Sequence, residues 1–194
     1  MRHKTLSGIG KLLLAAAIAA VANYAVAAQS PAPLPTQTES EWYKFSPPEG
    51  RFSVLLPHEP KFEAVKAGDS QTVTNYRYSD LENGYGFICE YFDVDQPGSD
   101  MDTFLDTIRD AFLHGAEATK LSEEKISLSG YPGRMITLSL LANGHEVTGE
   151  SRIFVVGKRV YSLSFLRLKD ANIPNVEANA RKFFSSLELK PEKP

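Results

Sequence analysis

The chain is poor in cysteine. Among 194 residues there is one, Cys89, so no intramolecular disulfide can form and the domain has to be held by its core. A chain of this length can bury such a core. The thiol sits within Phe87-Ile88-Cys89-Glu90-Tyr91, which reads as a strand, and a buried, inert thiol is expected there. Histidine is nearly as scarce: His3, His58, His114 and His145. A zinc-protease helix needs two histidines one helical turn apart. His58-Glu59-Pro60-Lys61-Phe62 lacks the second and has a proline where that helix must continue. His145-Glu146-Val147-Thr148-Gly149 also lacks it and follows a turn. There is no Gly-x-Ser-x-Gly elbow, no P-loop and no Gly-x-Gly-x-x-Gly. Gly84-Tyr85-Gly86 stops short of the third glycine. These gaps remove the metalloprotease, serine hydrolase and nucleotide-binding classes that carry local signatures. The expectation is a protein that is not an enzyme, without catalytic, cofactor or metal residues. An unrecognised carboxylate hydrolase is the third reading, since paired acids declare themselves only in geometry.

Acidic residues are missing before Glu39, and what stands there instead is informative. Arg2, Lys4 and Lys11 precede or open a run that is entirely apolar from Leu12 to Val21, followed by Asn23-Tyr24 and Ala25-Val26-Ala27-Ala28. A basic start, a short apolar stretch and an Ala-x-Ala site are the three parts of a secretory signal. A spanning helix needs about 20 apolar residues, and Asn23 interrupts this one. Residues 1–28 are therefore expected to be a cleaved signal peptide, cut after Ala27 or Ala28, and the product to be periplasmic or extracellular without stable membrane insertion. Cleavage removes three bases and no acid, so 21 basic residues fall to 18 against 24 acidic ones and the net charge moves from −3 to −6. That balance speaks against nucleic acid as partner and against adhesion to an anionic membrane. Residues 29–40, QSPAPLPTQTES, read as a proline-rich linker, 41–190 as one domain and 191–194 as a tail.

Turn signals divide the domain. Asn83-Gly84 and Asn143-Gly144 stand between apolar or aromatic runs, the strongest short hairpin signal. Gly157-Lys158-Arg159 separates Ile153-Phe154-Val155-Val156 from Val160-Tyr161-Ser162-Leu163, and Gly130-Tyr131-Pro132-Gly133 reads as a further turn. Strands joined this way are antiparallel. Ile136, Leu138 and Leu140 share one face of a strand, as do Tyr161, Leu163 and Phe165; earlier strands are expected at Phe52–Leu56, Thr72–Tyr78 and Tyr85–Phe92. Two stretches change to helical spacing. Met101, Phe104, Leu105, Ile108, Ala111 and Phe112 form one stripe, with Ser99 and Asp102 as its start and Gly115 as its stop. Ile173, Val176, Ala180, Phe183 and Leu187 form another between Pro174 and Leu187. The fold class is α+β, a central antiparallel sheet flanked by two main helices.

The acidic stretch Asp93-Val94-Asp95-Gln96-Pro97-Gly98-Ser99-Asp100-Met101-Asp102 matches positions one, three and six of a calcium loop through Asp93, Asp95 and Gly98, but has Pro97 in fifth place and Phe104 in twelfth. A strand end, a turn and an acid-rich helix start explain it equally. Tyr76, Tyr78, Tyr85, Tyr91 and Tyr161 are expected in the core or in cross-strand pairs. The opening Trp42-Tyr43-Lys44-Phe45-Ser46-Pro47-Pro48-Glu49-Gly50-Arg51-Phe52-Ser53-Val54-Leu55-Leu56-Pro57 resembles that of bacterial PsbP-like domains. Leu128-Ser129-Gly130-Tyr131-Pro132-Gly133-Arg134 is similar to that family's Gly-Tyr-Pro-Gly turn. Ile153 to Tyr161 is similar to its paired strands, and Lys182-Phe183-Phe184-Ser185-Ser186-Leu187 to its closing helix. The resemblance covers about residues 41–190 and implies a central antiparallel sheet with flanking helices. Characterised members include photosystem II extrinsic proteins and a nuclear protein that binds a small GTPase, so it also implies a binding or assembly role with another envelope or exported protein as partner. The alternative function is a periplasmic carrier of a small ligand or of weakly held calcium.

Overall fold

A computed structural model describes residues 42–66, 74–82, 84–95 and 97–190, with the backbone alone for 64–66 and 74–82. The expected signal peptide, linker and tail lie outside the described residues. Ten strands and two helices are present among them: β1 Tyr43–Phe45, β2 Phe52–Leu56, β3 Lys61–Lys66, β4 Thr74–Glu82, β5 Tyr85–Asp93, α1 Met101–Gly115, β6 Thr119–Leu128, β7 Tyr131–Ala142, β8 His145–Val156, β9 Arg159–Leu168, α2 Val176–Ser185 and β10 Glu188–Leu189. Seven strands make one antiparallel sheet in the order β3-β4-β5-β9-β8-β7-β6, and β1-β2-β10 make a small second sheet. The α+β class and the flanking helices stand as the turn and periodicity signals imply.

Two-residue loops set the register. Ala142 pairs with His145 across Asn143-Gly144, whose φ values of 49° and 81° are both left-handed, as a tight hairpin of right-handed twist requires. The turn before β7 is Ser129-Gly130, at φ 53° and 84°, and not Gly130-Tyr131-Pro132-Gly133. Tyr131 to Gly133 already pair with β6, and Pro132 is tolerated at the start of β7, before its pairing with β8 begins at Gly133. Arg159 likewise belongs to β9, opposite Val156.

Strands β5 and β9 pair along their whole length and are buried on both faces. Tyr161, Leu163 and Phe165 point to one side, with Phe87, Cys89 and Tyr91, and α2 and the small sheet close over them with Phe183, Phe184, Phe52 and Leu56. Val160, Leu166, Ile88 and Phe92 point to the other, where α1 brings Phe104, Leu105, Ile108 and Phe112. The apolar stripes thus place the two helices on opposite faces. Each buried Leu, Ile or Phe contributes about 1.5–3 kcal/mol.

Helix ends depart from the expected residues. Asp100, not Ser99, caps α1: its carboxylate accepts from the backbone N–H of Asp102 and Thr103 at 3.1 and 3.3 Å and from the Thr103 hydroxyl at 2.7 Å. Gly115 is helical, and the left-handed residue is Glu117 at φ 50°. Glu117 N–H returns to the His114 carbonyl and Ala118 N–H to that of Leu113, a Schellman closure made without glycine. Helix α2 begins at Val176, beyond Pro174, after a left-handed Asn175 at φ 58°. The short strands β1, β3 and β10 and the first part of β6 carry no turn or alternation signal strong enough to announce them.

At Gly149 a Cβ would overlap the Phe165 carbonyl oxygen and press on Leu166, because β8 and β9 approach too closely there for a side chain. Gly149→Ala is expected to cost about 2–3 kcal/mol, against about 1 kcal/mol for Gly144→Ala, where the space is open and left-handed backbone is the only penalty. Urea unfolding checks the order; equal losses would show that the close approach is not maintained.

Candidate functional site

The acidic loop does not gather into a cage. Asp93, at the end of β5, stands directly opposite Arg159 at the start of β9. The guanidinium grips it twice, Nε to Oδ1 and Nη2 to Oδ2, both 2.6 Å. The hydrogen bond from Arg159 holds the Asp93 carboxyl below its usual range, against the opposing effect of its partial burial. The same guanidinium donates through Nη1 to the Glu49 carbonyl and lies 4.8 Å from the Tyr91 ring centre. Beside it the buried Tyr161 hydroxyl donates to the Gly50 carbonyl at 2.9 Å. Asp100 is spent on the helix cap, and Asp102 binds Lys125 and Arg134, each at 2.9 Å. Asp95 is exposed. The calcium pattern therefore loses its first position to an arginine. Among the described residues no three His, Cys, Asp or Glu side chains converge on a point where a metal ion could sit. His58, His114 and His145 are all exposed.

The densest charge assembly lies where the start of α1 meets β6 and β7. Arg134 comes from β7 on the face that α1 covers, and its side chain is only 4 % exposed. It binds Asp102 Oδ1 at 2.9 Å, Asp106 Oδ1 at 3.0 Å and Glu123 Oε1 at 3.4 Å. Arg109 binds Asp106, Asp110 and Glu123 at 3.1, 2.9 and 2.7 Å, while Lys120 reaches Glu123 at 2.6 Å. Four cations meet four carboxylates, so the assembly is locally neutral. Burial would raise the Glu123 carboxyl, but hydrogen bonds from Lys120 and Arg109 bring it below the ordinary range. Asp102 is lowered by Lys125 and Arg134, and Glu188 by Ser53 and Lys44. A general acid needs a carboxyl displaced upward; Asp93, Asp100, Asp102, Glu123 and Glu188 are displaced downward by caps and ion pairs.

A second polar group lies inside the sheet. Glu90 on β5 is 1 % exposed, with Arg77 of β4 and Ser162 of β9 on either side of it in the register. The Ser162 hydroxyl is buried without a hydrogen-bond partner, and one step along β9 Ser164 meets Ser151 of β8 at 2.7 Å. Glu90, Ser162, Ser164 and Ser151 lie on the α1 face. Sequence reading passed over them, although a glutamate within an otherwise apolar run was a signal that could have marked the position. On the opposite face Cys89 is fully buried, and burial, followed by the neighbouring Glu90 charge, pushes its thiol far up. The inert thiol expected from sequence is what the core contains.

Of the five tyrosines singled out in the sequence, the three whose side chains are described are structural. Tyr85, Tyr91 and Tyr161 are buried, and Phe87 stacks with Phe183 at 4.9 Å and edge-on with Trp42 at 5.8 Å. Cations close the rim: Lys182 Nζ lies 4.7 Å from the Trp42 ring and the Arg152 guanidinium 4.3 Å from that of Phe184. The side chains of Tyr76 and Tyr78 lie outside the described ones.

No protein-family model matches the chain, and no curated protein does. Solved structures do. The cyanobacterial PsbP of Synechocystis sp. PCC 6803 is similar with a TM-score of 0.52 at 15 % identity, over 81 % of this chain and 99 % of that one. A Bacteroides thetaiotaomicron VPI-5482 structure aligns at TM-score 0.48 and 16 % identity over 78 % of this chain, which spans half the length of that one. A Pseudomonas aeruginosa protein of unknown function aligns at 0.48 and 12 % identity, over 79 % of this chain and the whole of that one. At 15 % identity the likeness to the cyanobacterial PsbP is one of fold alone, a mixed α+β, antiparallel fold. No helix among the described residues is long and apolar enough to cross a membrane.

Removing the arginine at the turn should be costly. Arg159→Ala removes the donor to the Glu49 carbonyl and the cation over Tyr91, while the more than half exposed Asp93 turns to water, and is expected to lose about 2 kcal/mol, whereas Tyr161→Phe loses about 1 kcal/mol. Urea unfolding reads both. Native thiol titration should find Cys89 silent until the protein unfolds, and labelling at the rate of a free thiol would contradict the buried placement.

Proposed function

We propose that this chain is an exported, non-enzymatic PsbP-like protein that works by contact with another exported or envelope protein. The observation that carries the reading is the fold shared with cyanobacterial PsbP across nearly that protein's whole chain. It is supported by where the titratable groups are spent, on caps, ion pairs and a clamp rather than on a cleft. Export rests on the basic start, apolar run and Ala-x-Ala site of residues 1–28. Contact surface is available at Leu121 and Leu141, which are 57 % and 73 % exposed. Single exposed apolar residues of this kind are common on any protein, so they mark positions for probes. A carrier of a small ligand is the second reading, favoured by the Ser162 hydroxyl, buried beside Glu90 with no partner.

Two measurements on the native exported fraction test this. Photo-crosslinkers at Leu121 and Leu141 should give one discrete protein adduct, absent with a crosslinker at exposed Lys169. Native mass spectrometry should give a mass starting at Gln29 or Ala28 with no small-molecule adduct. A stoichiometric adduct that disappears in Ser162→Ala would replace the contact reading with the carrier. A mass that includes residues 1–27 would remove the cleaved signal.

A further inference from the structure

The two helices cover the sheet by different physics. Helix α2 is seated by Val176, Ala180, Phe183 and Phe184, and its ion pair to β9, Glu177 with Arg167, is loose at 3.7 Å. Helix α1 has an apolar stripe too, but its first three turns also meet the sheet through charge. From α1 come Asp102, Asp106, Arg109 and Asp110; from β6 Lys120, Glu123 and Lys125; from β7 Arg134. Lys125 is the register partner of Arg134 on one side, and on the other β8 offers the uncharged Ile153. Every anion that neutralises the buried Arg134 guanidinium is thus a carboxylate on α1 or β6.

We propose that α1 is an acid-releasable cover: protonation of Asp102 and Glu123 takes two of its three carboxylate partners from the buried Arg134 guanidinium at the helix–sheet contact, and α1 loosens from its N-terminal end while α2 stays seated. A cation left buried without its anion is strongly unfavourable. Arg109, Lys120 and Lys125, released from the same carboxylates, then add like-charge repulsion. Loosening by even one turn admits water to Arg134 and relieves both. The direction follows from linkage. Asp102 and Glu123 are lowered in the folded protein, so their contribution is complete above the ordinary carboxylate range. It is lost as pH falls through the lowered values, in a window below about pH 4. Among the described residues, the charged groups at the α2 contact, Arg152 over Phe184 and Arg167 with Glu177, are about one-third exposed or more, so none is a buried cation like Arg134.

The test is hydrogen exchange of the signal-free chain followed by mass spectrometry at pH 7 and about pH 2, below the lowered carboxyl range, with protection corrected for the intrinsic pH dependence of exchange. Peptides covering residues 101–108 are expected to lose at least about tenfold more protection than those covering 176–185. In Arg134→Met, which removes the cation that would be stranded, the acid-induced difference between the helices should shrink to less than half. Equal loss in both helices, or retained protection of α1 in acid, would overturn the proposal. Should Arg134→Met not fold, Glu123→Gln at pH 7 serves instead, with selective loss of protection over 101–108 expected and an unchanged α1 counting against it.

Discussion

Strands β5 and β9 lie side by side at the middle of the sheet with apolar side chains on both faces, so neither face can be left to water. Most of the architecture follows from that requirement. An antiparallel meander alone would shield one face; here the chain inserts α1 between β5 and β6 to close one side and keeps α2, β1, β2 and β10 for the other. The two ends of the domain meet on the second side, where β10 pairs with β2 and Glu188 accepts from Ser53 at 2.8 Å. The covering elements are therefore fastened to each other as well as to the sheet.

The segments through which the chain resembles PsbP-like domains converge on that second side. Trp42 rests on Phe87, the turn at Glu49-Gly50 is held by Arg159 and Tyr161, and Phe183 packs on Phe87. These residues form the seam between the N-terminal turn, the central strands and α2. A motif set of this kind reports how the fold is closed, which is why it identifies an architecture while leaving the activity open. Of its buried residues the α1 side shares only Arg134, Ile153, Val155 and Val160 with those segments; α1 itself, β6 before Leu128 and the buried Glu90 lie outside them.

Local signals in the sequence were sufficient for the local elements. Asn143-Gly144, Gly157-Lys158 and the 3.6-residue stripes of α1 and α2 depend on neighbours a few positions apart, and they appear where those neighbours indicate. Asp100 displaced Ser99 as cap because its two carboxylate oxygens reach both Asp102 N–H and the Thr103 groups. Glu117 displaced Gly115 because the helix ran two residues further than a stop at Gly115 would allow. The pairs that organise the candidate sites were out of reach: Arg134 and Asp102 are 32 positions apart, Asp93 and Arg159 66, Gly50 and Tyr161 111. No periodicity links residues so distant, and an aspartate at a strand end reads the same whether it awaits an arginine or a calcium ion.

The pairing of β5 with β9 also orders events in time. Residues 85–93 must wait for residues 159–167 before the centre of the sheet can close, and everything between them, α1 and three strands, has to be accommodated first. Closing so long a loop costs chain entropy before any contact repays it, which makes the central seam a late and slow event in folding. Until then β5 presents an open, aromatic-rich edge. A chain of this topology therefore stays unfolded for longer than one built from local hairpins alone, and for that time the β9-facing edge of β5 is open to pairing with another chain.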